Sequence, residues 1–328
     1  MEPFPAFRLT EEHGATRGHI TTLTLDNLSP GTVVIRCAYS SVNYKDALAG
    51  TGSGKVVRRF PLVGGVDAAG TVVSSDDERF GTGDEVIVTS YDLGVSHDGG
   101  YAAYLRVPGD WVVPRPAGLS LAESMAIGTA GFTAALSIVE MEHNGLAPSA
   151  GPVIVTGATG GVGCMAIQSL AARGYDVTAL TRKIGEAEFL RGLGASHVLS
   201  YGDVVMGTRP LEKATWAGAV DAVGGDTLAW LTRTMRQGGT IASSGLTGGT
   251  DLHTTVMPFI LRGVKLLGID SAYCPMPLRR RVWDRIATDL KPPHLTRTTT
   301  DIGLEQLPAA FDTLLHGEAH GRLRVRLP

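Results

Sequence analysis

Cysteine is almost absent: the 328-residue chain has three, Cys37, Cys164 and Cys274, far apart and with no CxxC pair. That argues against a disulfide framework and against a structural zinc site, which takes four clustered ligands. Charge of one sign is lacking too. The formal net charge is −3, whereas a protein that tracks nucleic acid or an anionic membrane normally carries a basic excess. Long apolar runs are missing from the sequence pattern, and the polar N-terminal stretch MEPFPAFRLTEEHG has no apolar signal core. These absences predict a cytoplasmic protein with neither a nucleic-acid nor a membrane partner.

Hydrophobic residues make up 43% and charged residues 19% of the chain, enough apolar side chain for a substantial core. The length exceeds what one compact core usually holds and predicts two domains. Glycine is abundant, at 43 residues. Turn-rich β structure and phosphate loops both need it, since a backbone without Cβ takes positive φ and tolerates close approach.

The first third reads as short strands broken by Gly, Pro and Asp: Thr32–Ala38, Gly70–Ser74 and Glu85–Thr89. That pattern suggests a small barrel or sandwich. Leu121–Gly145 has helical spacing. From Pro152 onward the rhythm becomes βαβ. Strands are expected at Val153–Val155, Asp176–Thr181, His197–Tyr201, Ala219–Val223, Thr240–Ser243 and Val264–Ile269, and helices at Val162–Ala172 and Glu186–Leu193. Such alternation predicts a doubly wound parallel sheet, with a flavodoxin-like variant as the alternative. After Asp270 come two helices, Arg279–Leu290 and Leu304–Leu315, and a closing strand, Leu323–Val325, expected to return to the first domain. The run Arg279-Arg280-Arg281 reads as a solvated helix face.

The strongest chemical motif is Val155-Thr156-Gly157-Ala158-Thr159-Gly160-Gly161-Val162-Gly163. It follows an apolar strand and opens a helix, as a dinucleotide fingerprint requires. Small residues let the backbone approach a diphosphate, and unpaired N–H groups at the helix start face its charge. In the GxGxxG alignment the first glycine is Ala158, with Gly157 beside it. The next strand ends Thr181-Arg182-Lys183, where an NAD site usually carries the carboxylate that binds the ribose 2′-hydroxyl. Two cations there predict NADPH. One charge-assisted hydrogen bond is worth about 1.5–3 kcal/mol, roughly a 10- to 150-fold preference.

These residues carry a resemblance. The chain resembles the zinc-independent, quinone-oxidoreductase-like branch of the medium-chain dehydrogenase/reductase superfamily, and within it the acryloyl-CoA reductase (NADPH) group. The markers span nearly the whole chain: Ser41–Asp46 (SVNYKD), Pro61–Asp67 (PLVGGVD), Gly81–Val86 (GTGDEV), His97–Tyr101 (HDGGY), Gly128–Ala134 (GTAGFTA), the phosphate loop, Val256–Ser271 and Gly321-Arg322.

The resemblance implies an α/β fold, a Rossmann doubly wound parallel sheet plus a GroES-like β-barrel domain. Residues 1–125 and 272–328 would form the catalytic domain and 126–271 the cofactor domain, with the active site in the cleft between. Zinc-dependent relatives carry Cys and a His-Glu pair at positions that here match Asn43 and Val66-Asp67. Asn and Val are poor Zn²⁺ ligands, so no catalytic metal is expected and reduction of an activated C=C bond or a quinone fits better than alcohol oxidation.

By the same resemblance, Tyr44, Thr129, Thr133, Thr159, Gly160, Gly161, Val162, Gly163, Thr181, Arg182, Lys183, Tyr201, Leu246, Ile260 and Ser271 bind the cofactor. Tyr44, Asn43 and His97 are the candidates to donate a proton or hold an oxyanion. Arg58, Arg59, Arg262 and Lys265 could receive the nucleotide end of CoA. The expected function is reduction of acryloyl-CoA to propionyl-CoA by a homodimer. The alternatives are a quinone or enone reductase, and a non-catalytic NADPH-binding protein.

Overall fold

The structure is a computed structural model that describes residues 2–328. It divides into two compact units, the first comprising residues up to Thr129 with Ala272–Arg281 and Leu295–Pro328, the second Ala130–Ser271 with Val282–His294.

The first unit is made of short strands. Phe4–Glu12 and Ala15–Leu23 form a hairpin that turns at His13-Gly14, and Leu62–Val63 pairs with the other edge of Phe4–Glu12. A seven-stranded sheet runs Thr299–Ile302, Arg322–Arg326, Val33–Val42, Asp67–Ser75, Glu85–Thr89, Val113–Pro114, with Tyr104–Val107 also paired to Val33–Val42. This is the GroES-like barrel. The closing strand brings Arg324 opposite Ser41 and Leu323 opposite Val42. Helix Leu307–Leu315 then seats Phe311 edge-on against Phe7, ring centroids 6.0 Å apart, within one apolar cluster.

The second unit is a six-stranded, wholly parallel sheet. Its order is His197–Ser200, Val177–Thr181, Val153–Val155, Trp216–Asp221, Met235–Ser243, Lys265–Gly268. Counted along the chain this is 3-2-1-4-5-6, the Rossmann order, whose direction reverses beside the first strand. Val153–Val155 is buried throughout, as a central parallel strand covered on both faces must be. Helix Gly225–Thr234 packs Leu228, Trp230 and Leu231 with Ile154, Leu180 and Ile241.

Three features differ from the sequence pattern. The helical stretch after Ser120 is Leu121–His143, and it breaks at Gly128 (φ 52°, ψ −159°). That segment is long and apolar enough to cross a membrane, contrary to the sequence reading, but 89% of its apolar window is packed inside the protein. Arg279 is fully buried, so the arginine run is not a solvated face as a whole; only Arg280 and Arg281 are exposed. The physical reason is local: its guanidinium donates to Thr89 O and Oγ1 (3.1 and 2.9 Å) and lies 4.4 Å over the Tyr91 ring.

Candidate active site

In the first unit, polar side chains from four distant stretches of sequence converge on one buried carboxylate. Asp67 opens strand Asp67–Ser75 and is fully buried. Its Oδ2 accepts from Ser41 Oγ (2.5 Å), Asn43 Nδ2 (2.8 Å) and the Thr129 amide (2.9 Å), and its Oδ1 from Thr129 Oγ1 (2.6 Å). The break at Gly128 makes this possible: a Cβ there would lie 2.5 Å from Ser41 Oγ, 2.7 Å from Asp67 Oδ2 and 2.8 Å from the Arg322 guanidinium. Arg322, on the closing strand, donates to Asn43 Oδ1 (3.2 Å), Ser41 Oγ (2.9 Å) and the Val42 carbonyl (3.0 Å).

A second carboxylate, Asp46, sits in the same cluster and accepts from the Asn43 amide (2.8 Å), Asn43 Nδ2 (3.2 Å) and the Val66 amide (2.9 Å). Burial, with the Asp67 charge adding to it, pushes the Asp46 carboxyl up to about 7 despite those bonds. A group whose folded value lies above its unfolded one stabilises the fold at low pH and loses that contribution as pH rises. Denaturant unfolding should therefore become easier between about pH 4 and pH 7. Asp46→Asn, uncharged and of nearly the same shape, should flatten that slope; an unaltered pH dependence would remove Asp46 as its source.

The geometry separates the three catalytic candidates. Asn43 has its amide nitrogen on the two carboxylates and its oxygen on Arg322, so it positions the cluster and is not free to hold an oxyanion. His97 has Nδ1 3.0 Å from the Asp98 carbonyl, Nε2 3.0 Å from the Pro30 carbonyl and its ring edge-on to Trp111, which leaves no open ring nitrogen. Tyr44 starts helix Tyr44–Thr51, is 39% exposed, and its hydroxyl has no hydrogen bond to any described residue.

Next to the cluster, Ser90 and Tyr91 both have positive φ (64° and 51°) without being glycine. Such backbone persists only where the surroundings enforce it. Here Tyr91 stacks on Trp111 (5.4 Å, 5°) under the Arg279 cation, and Ser90 Oγ lies 2.9 Å from Thr129 Oγ1. Asp67, Asp46, Ser41, Ser90 and Arg322 were not among the expected site residues. Ser41, Asp46, Asp67 and Arg322 carried a signal only as members of the family markers Ser41–Asp46, Pro61–Asp67 and Gly321-Arg322, and Ser90 carried none.

In the second unit the glycine-rich turn leaves strand Val153–Val155 and enters helix Gly161–Ala172. Gly157 takes φ +58°, and a Cβ on Gly163 would lie 2.4 Å from the Gly157 carbonyl oxygen, so the helix packs against the turn as a diphosphate cradle requires. Thr159 is buried, while Gly160, Gly161 and Val162 are part-exposed at the helix start. At the neighbouring strand end, Thr181 Oγ1 accepts from the Lys183 amide (3.0 Å), and Arg182 lies over the Tyr201 ring at 5.3 Å. Thr133 Oγ1 donates to Ser271 Oγ (2.7 Å), which joins two more expected site residues. Leu246 and Ile260 are 59% and 72% exposed. Asp221, which sequence reasoning missed, ends the fourth strand and accepts from Thr156 Oγ1 (2.6 Å) and the Gly224 amide (2.9 Å). It fixes the turn from beneath.

The expected basic rim is largely committed elsewhere. Arg59 is bonded to the Ser96 carbonyl (2.6 Å) and Asp98 (3.2 Å), Arg262 to the carbonyls of Arg233 and Met235, and Lys265 to that of Asn144 (2.8 Å). These long side chains thereby supply donors to backbone carbonyls, most of them partly buried. Among the described residues no group of three or more His, Cys, Asp or Glu side chains is placed to hold a metal ion.

Two family models match: an alcohol dehydrogenase GroES-like domain over residues 29–117 and a zinc-binding dehydrogenase domain over residues 161–288. The chain is 54% identical, over 94% of both chains, to the putative quinone oxidoreductase YhfP of Bacillus subtilis. The YhfP structure with NAD bound superposes with a TM-score of 0.97 at 52% identity, covering 100% of each chain. Identity to the acrylyl-CoA reductase AcuI of Ruegeria pomeroyi is 45% over 96% of both chains. The yhdH oxidoreductase of Salmonella enterica in complex with NADP superposes with a TM-score of 0.96 at 43% identity, over 99% of this chain and 100% of that one.

Proposed function

The chain belongs to the medium-chain dehydrogenase/reductase superfamily, and from that premise we propose that it uses NADPH to reduce the C=C bond of a short 2-enoyl-CoA, acryloyl-CoA to propionyl-CoA above all. The likeness to AcuI over 96% of the chain carries the substrate class. The corner of Arg182 and Lys183, with no carboxylate at the strand end, supports the phosphorylated coenzyme. The proposal includes a cytoplasmic homodimer paired through the cofactor unit, whose strand Lys265–Gly268 has a neighbour on one side only.

When bound, the reduced coenzyme would supply a hydride for the β-carbon of the substrate. The chain's residues do the rest. The turn Thr156–Gly163 seats the diphosphate on backbone N–H groups, and its glycines leave the room. Thr129, anchored by both its amide and its hydroxyl to Asp67, gives the site a fixed wall beside Ser90. Hydride addition would move negative charge onto the thioester oxygen, which calls for a hydrogen-bond donor, and the α-carbon would then take a proton from a side chain or water to complete the reduction. Tyr44 is the candidate with an uncommitted O–H, while Asn43 and the carboxylates behind it hold the start of its helix.

The test follows NADPH absorbance with acryloyl-CoA, crotonyl-CoA and a small quinone. Fastest turnover of acryloyl-CoA is expected, and Tyr44→Phe should lower that kcat by about 10-fold, the worth of one hydrogen bond to a charged group. The second reading, a quinone or enone reductase, has the 54% identity to YhfP behind it. Much faster turnover of the quinone would establish it in place of the first.

A further inference from the structure

Strand Val177–Thr181 pairs with His197–Ser200 in parallel, with Thr181 opposite Ser200. One residue beyond that last pair stand Arg182 and Tyr201, so the sheet itself delivers the guanidinium over the ring, 5.3 Å from its centroid. The two are anchored very differently. Tyr201 is half-buried, packs against the apolar cluster of Ile154, Leu180 and Trp230, and has its hydroxyl at 3.5 Å from Thr227 Oγ1. Arg182 is exposed and makes no hydrogen bond or ion pair with any described residue. Its contact with the Tyr201 ring is what holds it. Burial pushes the Tyr201 phenol up, so the ring stays neutral and its π face remains available to a cation.

We infer that Tyr201 sets the preference for the phosphorylated coenzyme as a positioning residue, by holding Arg182 ready for the ribose 2′-phosphate rather than by bonding the phosphate itself. The inference rests on the NADPH reading above. An unrestrained exposed arginine spreads over many rotamers and must be ordered when a ligand arrives; one already stacked has met that cost beforehand. Stacking also uses only the face of the guanidinium. The in-plane N–H groups stay free for the forked contact that a phosphate accepts, which the point charge of Lys183 cannot make.

Calorimetry on the full chain without coenzyme tests this with NADPH, NADH and the fragment 2′,5′-ADP. Tyr201→Phe keeps the ring and should bind all three as the natural chain does. Tyr201→Leu, which keeps apolar volume in case Tyr201→Ala fails to fold, should weaken NADPH and 2′,5′-ADP by about 3- to 10-fold and leave NADH unchanged. Once Arg182→Ala is present, adding Tyr201→Leu should weaken NADPH no further, because the ring then has nothing to hold. Equal weakening of NADH would make the ring an adenine surface and overturn the inference. So would a loss in Tyr201→Phe matching that in Tyr201→Leu, which would assign the effect to the hydroxyl. Tighter binding of NADH than NADPH by the natural chain would instead defeat the coenzyme reading on which the inference stands.

Discussion

Replacing Arg322 by methionine is expected to destabilise the chain by about 3–5 kcal/mol, the usual consequence of removing one partner from a buried charged cluster. Arg322 is 3% exposed, and Asp46 and Asp67 beside it are 3% and 0% exposed. Without the guanidinium, two carboxyls would remain in a buried cluster that has lost that cation, and Ser41 Oγ, Asn43 Oδ1 and the Val42 carbonyl would each lose a donor. The apparent midpoint of thermal unfolding should fall by roughly 10 °C. The sign of the pH effect follows from what is left behind: protonating Asp46, whose carboxyl burial already pushes up to about 7, removes unpaired charge, so the gap to the natural chain should narrow as pH falls from 8 toward 5. Arg322→Lys keeps the charge but not the three-point geometry and should recover only part of the loss. An unchanged midpoint in Arg322→Met would show that the guanidinium does not balance this cluster.

The second large effect is expected at Gly163. Valine there would put a Cβ 2.4 Å from the Gly157 carbonyl oxygen and 2.7 Å from the Ala158 Cα, both backbone atoms that cannot swing aside. Either the helix Gly161–Ala172 moves off the turn or the turn opens. Both displace the N–H groups that would face a diphosphate. Losing two charge-assisted bonds corresponds to roughly a 100-fold weaker Kd for NADPH or more. The stability cost should be smaller, about 1–3 kcal/mol for overpacking. Calorimetric titration together with a thermal scan separates the two: lost binding with a nearly intact melt is the expected pair. Binding within a few-fold of the natural chain would mean that the turn does not seat the diphosphate.

The cofactor unit was legible because its chemistry is local. A strand, a turn of small residues and a helix start lie within about a dozen consecutive residues, and the phosphate-binding property belongs to that backbone alone. Arg182 was legible for the same reason, since the end of the second strand is a fixed place in every such unit. Its stacking on Tyr201 was not, because that depends on Thr181 pairing with Ser200 across the sheet.

The sequence by itself determined the Rossmann rhythm and the cationic corner after the second strand, because each is a property of neighbouring residues or of period. Only the tertiary structure decided what surrounds Asp67. Ser41, Asn43, Thr129 and Arg322 come from opposite ends of the chain and meet through strand register and one non-helical glycine. Hydrogen bonds made there commit Asn43, those to the Pro30 and Asp98 carbonyls occupy His97, and the Tyr44 hydroxyl is left open, since a donor's availability depends on which acceptors folding has placed beside it.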